Sequence, residues 1–302
     1  MTVLHTIAQL RNAVAAARNA GGTIALVPTM GALHDGHGSL IRSARDHADL
    51  VVVSVFVNPT QFDDPSDLAA YPRTLDDDAR AAAAAGADIV FAPSAAEIYP
   101  DGFATTVALR GALTQTLEGA ERGVGHFDGV TTVVAKLITI CSPDLACFGE
   151  KDAQQLAVVR RMVDDLNLPV RIVACPTVRD SDGLAMSSRN RRLSPAQREA
   201  ALALPRALAD AADGVRSGRL SDPAELEQDG LAQLHAAGMQ PAYLRAVDPA
   251  TFEAVTRLDR PVLIVGAARI GDVRLIDNLS AAPAALDSTR PTPVQTAEAV
   301  TA

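Results

Sequence analysis

Apolar positions along this chain fall into two alternating rhythms. Short continuous runs rich in Val, Ile, Leu and Ala occupy 23–27, 50–57, 89–93, 145–148 and 170–174. Runs of this length, with no polar alternation, predict strands buried on both faces. Between them the spacing turns helical. Ile7, Leu10 and Val14 among alanines predict a helix over 7–20, ended by Gly21-Gly22. The same reasoning places helices from Ser39 to about Ala48, Asp76 to Gly86, Val130 to Ile140 and Gln154 to Leu166. One more strand is expected at Thr105–Leu109, and the glycine-rich stretch 117–127 is expected to be a loop. Strand and helix alternate through residue 175, which predicts a doubly wound α/β domain around a parallel sheet. Ligands of such sheets bind beyond the carboxyl ends of the strands.

The rhythm breaks at Arg179–Arg192, a stretch too polar for a core element, which reads as a linker or a mobile loop. Ser194-Pro195 then supplies an N-cap and a first-turn proline for a long helix. A helix near 223–237 and strands near 242–247, 262–268 and 275–279 make a smaller α+β unit. The expected division is a first domain over 1–185, a second over 186–280 and a tail, 281–302. Pro, Thr, Ser and Ala dominate that tail without periodicity, which predicts disorder.

Composition narrows the class. A chain of 302 residues that is 48% hydrophobic can bury a substantial core. Its net charge of −9 argues against a sequence-independent nucleic-acid surface, because phosphate backbones demand basic patches. No run approaches the roughly 18 apolar residues of a membrane span. The N-terminus lacks a basic segment leading into an apolar one, so no signal peptide is expected. Cys141, Cys147 and Cys175 form no CxxC and have no neighbouring His, so they read as reduced thiols. A cytoplasmic globular protein is expected.

Candidate chemistry gathers where strands end. After the run 23–27 come Pro28, a Thr29-Met30-Gly31 turn, and His34 and His37 at the start of a helix. Strand, glycine turn and helix start is the geometry that aims free backbone N–H groups and a positive helix end at a phosphate. Imidazoles at i and i+3 share one face and can reach the same anion; the plain alternative is two solvated loop histidines. Lys151, in Gly149-Glu150-Lys151-Asp152 at another strand end, can neutralise phosphate, or else pair with Glu150 or Asp152. Ser187, Ser188 and Arg189 suit a loop closing over a transferring phosphoryl group, or a solvated linker. Asn58 and Gln61 suit hydrogen bonds to a small hydroxy acid, although Asn-Pro-Thr is also ordinary turn chemistry. Asp76–Asp78 can hold Mg²⁺ beside phosphate oxygens or complement a helix dipole. No GxxxxGK[ST] and no GxSxG occurs, and no GxGxxG follows the first strand of the 23–27 run.

These blocks together resemble a known family. His34-Asp35-Gly36-His37 is similar to the HxGH signature of the adenylyl- and cytidylyltransferase superfamily. Pro28–His37, Phe56–Phe62, Tyr71-Pro72-Arg73-Thr74, Phe148–Asp152 and Asp182–Asn190, in order and in spacing, resemble the pantoate–β-alanine ligases. The likeness spans residues 28–190 and is fainter around Asp272–Asn278. It implies a Rossmann-like domain that binds ATP and pantoate, a C-terminal lid domain, a homodimer and a two-step reaction. Pantoate attacks the α-phosphate of Mg²⁺-ATP to give pantoyl adenylate and pyrophosphate; the amine of β-alanine then displaces AMP.

The resemblance also implies roles. Met30, Gly31, Ala32, Leu33, His34, Asp35, Gly36 and His37 would bind ATP, with His37 the proton donor. Gly149, Glu150, Lys151 and Asp152, Val178 on the adenine, and Met186, Ser187, Ser188 and Arg189 would complete that site. Of these, His34, Lys151, Ser187, Ser188 and Arg189 would join His37 in catalysis. Gln61 and Gln155 would bind pantoate, Gln61 also β-alanine, with Asn58 and Tyr71 on the same side; Asp77 and Asp78 would hold Mg²⁺. Three departures stand out: Gly38, Ala153, and a Gly123-Val124-Gly125 stretch one residue longer than the family's Arg-Pro-Gly-His-Phe. Arg122 and His126 therefore receive no role. The rivals are another HxGH nucleotidyltransferase and a non-catalytic nucleotide-binding protein; a tRNA-charging enzyme would want a basic face.

Overall fold

In a computed structural model, residues 1–62 and 65–284 are described. Six strands, β1 (Thr2–Leu4), β2 (Ile24–Thr29), β3 (Leu50–Val55), β4 (Ile89–Phe91), β5 (Leu145–Gly149) and β6 (Arg171–Cys175), form one sheet. Their order is β1-β4-β3-β2-β5-β6, and every pairing is parallel. The chain builds outward from β2 through β3 to β4, then returns to lay β5 against the other side of β2. The strand order therefore reverses between β2 and β5, and a crevice opens at their carboxyl ends. Met30–His37 follows β2 and Glu150–Asp152 follows β5, so topology alone brings both candidate clusters to one place.

Five helices cover the sheet: α1 (Ile7–Asn19), α2 (Asp35–Arg45), α3 (Leu75–Ala84), α4 (Val124–Cys141) and α5 (Ala153–Asp165). Leu10, Val14, Val134, Ile138 and Val159 pack with Leu26 and Val52 on one face. Ile41, Ala44 and Ala82 pack with Val27 and Val53 on the other. The β-branched runs are buried on both sides, as their lack of alternation requires. Cys141, Cys147 and Cys175 are free and buried.

Three expectations need correction. β1 was not foreseen, because three residues are too few to show a period. Thr105–Leu109 is no strand: its Val107 N–H donates to the Thr132 hydroxyl (3.0 Å) and its carbonyl accepts from Thr131. Side-chain hydroxyls of α4 thus take the place of a neighbouring strand. The stretch 117–127 is not a loop but a short helix, Glu118–Arg122, running into α4 through Gly123, whose φ of +79° makes the corner.

The second unit is a three-stranded antiparallel sheet, β7 (Gln240–Val247), β8 (Val262–Ile270) and β9 (Val273–Ala281), in that order. Against it lie α6 (Pro195–Ala201), α7 (Ala203–Ser217) and α8 (Pro223–Ala236); the expected long helix is interrupted at Leu202. α6 starts as foreseen, with Ser194 accepting from Gln197 N–H and Gln197 reaching back. The last strand continues through buried Ala281, one residue past the expected boundary. The tail expected from there on falls, from 285, outside the described residues.

The two units share a core in which Leu113, Phe127 and Val158 meet Tyr243, Phe252 and Val265. The polar stretch 179–192 is not a bare linker. Arg179 makes two bonds to buried Asp277 (2.6 and 3.0 Å), Arg198 binds Asp180 and Asp182, and Arg179 and Ala185 form a β-bridge. Its charges pair with β9 through Arg179 and with Arg198 of α6 through Asp180 and Asp182, which is how so polar a segment packs.

Candidate active site

A cavity of about 280 Å³ opens at the crevice between β2 and β5. Met30, His34, Gly36 and His37 line it from the β2 side. Gly149, Lys151, Asp152 and Gln155 line it from the β5 side, and Val178, Met186, Ser187, Ser188 and Arg189 from beyond β6. Gln61, Asn58 and Tyr71 form the wall next to β3.

The histidine turn works differently from the expected cradle of free N–H groups. Gly31 N–H donates to the Thr29 hydroxyl (3.2 Å), and Ala32 and Leu33 N–H donate to the Asp78 carboxylate (3.1 and 2.7 Å). His34 N–H donates to His37 Nδ1 (3.3 Å), and Gly36 N–H donates to His34 Nδ1 (3.2 Å). These donors are therefore already engaged. Both imidazoles accept at Nδ1, so each neutral ring carries its hydrogen on Nε2 and offers that N–H outward. The ring centroids are 4.1 Å apart.

The rings favour the neutral form. Burial, then the neighbouring His34, hold His37 down to about 3; Lys151 adds to this and Asp152 opposes it. Burial, then Lys151 and Arg191, lower His34. Near neutral pH the unliganded turn is thus a pair of N–H donors, not a pair of cations. Lys151 pairs with Asp152 at 3.7 Å, the alternative its sequence allows, and both side chains line the cavity. Tyr71 stacks edge-on against Phe62 (5.6 Å); burial raises its pKa, and its hydroxyl meets Ser188.

Some expected site residues lie behind the cavity surface. Gly31, Ala32 and Leu33 form a left-handed turn (φ +84° and +50° at the first two) braced by Asp78. A side chain at Gly31 would put Cβ 2.9 Å from that carboxylate. Asp35 and Glu150 are exposed and outside the cavity lining, and the Glu150 carbonyl accepts from Asn278. Asn58 is buried, donating to Gln61 Oε1 and to the Gly129 carbonyl (both 3.1 Å) and accepting from Tyr99 (2.8 Å). With both amide hydrogens engaged it orients Gln61 at the cavity wall. Gln61 Nε2 in turn reaches Met30 Sδ (3.2 Å).

The metal assignment to Asp77 and Asp78 does not fit this geometry. Asp77 pairs with Arg80 in solvent, and Asp78 is buried with both oxygens taken by main-chain N–H groups. Among the described residues no three His, Cys, Asp or Glu side chains are grouped to hold a metal ion. Nor is any helix there long and apolar enough to cross a membrane.

Sequence reasoning missed a layer supplied by the second unit. Asn278 donates to the carbonyls of Glu150 and Lys151 (both 2.9 Å), fastening the lysine turn to β9. Buried Glu118 receives Arg122 (2.8 Å), the Tyr243 hydroxyl (2.9 Å) and Arg274. Burial alone would raise Glu118, yet Arg122 and Arg274 hold it at about 2. A lone carboxylate in a glycine-rich stretch carries no signal for such a network.

A doubly wound sheet with paired imidazoles at its switch point, a lysine across the crevice and a Ser-Ser-Arg segment above defines a nucleotide-binding α/β protein. The model of the pantoate–β-alanine ligase family matches residues 2–280, and the chain belongs to that family. It is 50% identical to the pantothenate synthetase of Rhizorhabdus wittichii over 94% of its own length and 100% of that protein's. It is also 50% identical to that of Pseudomonas entomophila, over 92% and 97%. A crystal structure of pantothenate synthetase from Thermus thermophilus superposes with a TM-score of 0.85 at 45% identity, covering 92% of this chain and 99% of that one. The Francisella tularensis pantoate–β-alanine ligase, complexed with β,γ-ATP and β-alanine, gives 0.75 at 34%, covering 92% and 97%.

Proposed function

We propose that this protein joins pantoate to β-alanine with ATP, through a pantoyl adenylate. A pantoate carboxylate oxygen bonds to the α-phosphorus of ATP as pyrophosphate leaves. The amine of β-alanine then bonds to the acyl carbon and AMP leaves with the electron pair. One observation carries the reading: phosphate-type donors on Lys151, Arg189, His34 and His37 share a cavity with amide donors and acceptors on Gln61 and Gln155. In-line displacement at phosphorus needs charge stabilisation and positioning more than covalent help. The Nε2–H groups of His34 and His37 would hydrogen-bond phosphate oxygens, and Lys151 and Arg189 would offset the charge of the departing pyrophosphate. His37 would act first as a hydrogen-bond donor; a phosphate beside it raises its pKa and so favours later proton donation.

Met30 and Gly36 would flank the nucleotide, with Gly149, Asp152, Val178, Met186, Ser187 and Ser188 completing its site. Gln61 and Gln155 would hold pantoate, with Tyr71 closing that side. Asp77 and Asp78 offer no open carboxylate pair for Mg²⁺, so the ion would arrive on the ATP phosphates, and no step is routed through it. The 1–185 unit would carry the nucleotide and pantoate, the unit from 186 would cover them, and the protein would work as a cytoplasmic homodimer.

Single-turnover mixing with ATP and pantoate tests this. Pyrophosphate should form without β-alanine, and a hydroxy acid of different shape should not replace pantoate. Pyrophosphate release that waits for β-alanine would sink the adenylate route.

A further inference from the structure

Arg122 has no part in the roles above, yet the fold aims it with unusual care. Its side chain lines the cavity with 28% of its surface exposed, and its Nε donates to Glu118 Oε2 at 2.8 Å. Glu118 cannot swing. Its other oxygen takes the Tyr243 hydroxyl at 2.9 Å and Arg274, and its main-chain N–H donates to Gln154 Oε1 at 3.0 Å. Gln154 is itself buried and donates to the carbonyls of Leu113 and Thr116 (3.0 and 2.9 Å). Glu118, the acceptor that orients Arg122 through Nε, is therefore itself held from three directions. The Nη groups of Arg122 have no protein partner among the described residues. A planar fork with Nε committed and its Nη groups open is suited to an incoming carboxylate.

The local charge balance agrees. Glu118 faces two guanidiniums, Arg122 and Arg274; Arg274 also has Glu121 at 3.6 Å, but that carboxylate is 47% exposed and well hydrated. Formally the four groups cancel; locally, Arg122 has only the Glu118 carboxylate, which it shares with Arg274. The cavity wall that carries Arg122 is joined to Gln61: after the corner at Gly123, His126 Nδ1 meets the Gln61 carbonyl at 2.9 Å.

Three anions must enter this cavity if the ligase reading holds, and this inference rests on that reading. The phosphates have His34, His37, Lys151 and Arg189. The pantoate carboxylate is the nucleophile, and a two-pronged guanidinium would occupy the lone pairs that must attack. The carboxylate of the amine substrate stays ionised from entry to product and needs a permanent cation of its own. The geometry points to Arg122 as the group that binds the carboxylate of β-alanine and selects an amine bearing a distal carboxylate, with Glu118 as its positioning residue.

The test uses the full chain and compares the two half-reactions. Arg122→Ala should raise the KM for β-alanine about 10–150-fold, the range for loss of a hydrogen bond to a charged group. Pantoate-dependent pyrophosphate release without β-alanine should stay near the wild-type rate, which also shows that the variant is folded. Propylamine, which lacks the carboxylate, is the second probe: wild type should strongly prefer β-alanine, and Arg122→Ala should lose most of that preference. Arg122→Lys, keeping charge without the fork, should recover part of it, and Glu118→Gln should raise the β-alanine KM more than it lowers kcat. An unchanged β-alanine KM in Arg122→Ala overturns the assignment. So does a parallel fall in pyrophosphate release, which would put Arg122 on phosphate. Failure of the wild type to release pyrophosphate from ATP and pantoate would instead strike the ligase reading itself.

Discussion

His37 and Asp78 show how single residues set the chemistry of the turn. His37 is held neutral down to about 3, below the 6.5 of a free imidazole. The unfolded chain binds a proton below 6.5 that the folded chain refuses until about 3, so acid favours unfolding across that window. Stability should therefore fall as pH drops from 7 toward 4, by up to about 1.4 kcal/mol per pH unit from this ring, less where solvent reaches it. Urea unfolding of wild type and His37→Gln checks this: the variant should lose less stability on acidification, and identical slopes would refute it. Asp78 has a different duty. Asp78→Ala leaves two main-chain donors, on Ala32 and Leu33, without an acceptor, and should cost roughly 2–4 kcal/mol together with much of the adenylation rate. Its neighbour Asp77, 69% exposed on an ion pair with Arg80, should tolerate Asp77→Ala within about 0.5 kcal/mol with an unchanged Mg²⁺ dependence. A shifted Mg²⁺ midpoint in Asp77→Ala would restore the metal role rejected above.

Elements were legible where burial imposes a period and obscure where side chains replace it. The β-branched runs 50–57 and 145–148 announced β3 and β5 because strands covered on both faces must be apolar throughout. Thr105–Leu109 carries the same residue types, but its backbone partners are Thr131 and Thr132 on α4, and no pattern encodes that. The short helix Glu118–Arg122 hid among glycines that serve close packing or a corner: a Cβ on Gly119 would collide with the Thr114 carbonyl, and Gly123 takes a positive φ. α4 illustrates the point: a Cβ on Gly129 would lie 2.4 Å from the Thr60 carbonyl oxygen, in the turn that carries Gln61. Gly129→Ala should thus push α4 off that turn, destabilise by about 1–3 kcal/mol and break the Asn58 bond to the residue 129 carbonyl. Thermal unfolding together with the KM for pantoate would register both effects; an unaltered KM would mean that α4 does not set Gln61.

At the scale of the molecule, the site is a product of two sheets. The 28–37 turn, the Asn58–Gln61 turn and Lys151 were readable from the sequence because each sits at a strand end of the parallel sheet. The fastening of the lysine turn to the second unit was not, since it depends on pairs more than a hundred residues apart, Asn278 with Glu150 and Lys151. The Arg179–Asp277 pair is a second fastening. Asp277 is 2% exposed and Arg179 30%, so the carboxylate has given up its water and relies on the guanidinium, with Asn278 N–H as its other donor. The pair joins the start of the 179–192 stretch, which leads to Ser187–Arg189, to β9 and, through Asn278, to the lysine turn. Asp277→Ala removes the acceptor and leaves Arg179 partly buried without its counter-charge, which should destabilise by about 3–5 kcal/mol. Local consequences separate this from general weakening. Amide exchange should quicken in 179–192 and 149–152 before it does in β2 and β3, and the adenylation rate should fall further than the affinity for pantoate. Uniformly faster exchange across both sheets would show the pair to be a support of the whole fold and not a clamp on the two segments that meet the nucleotide.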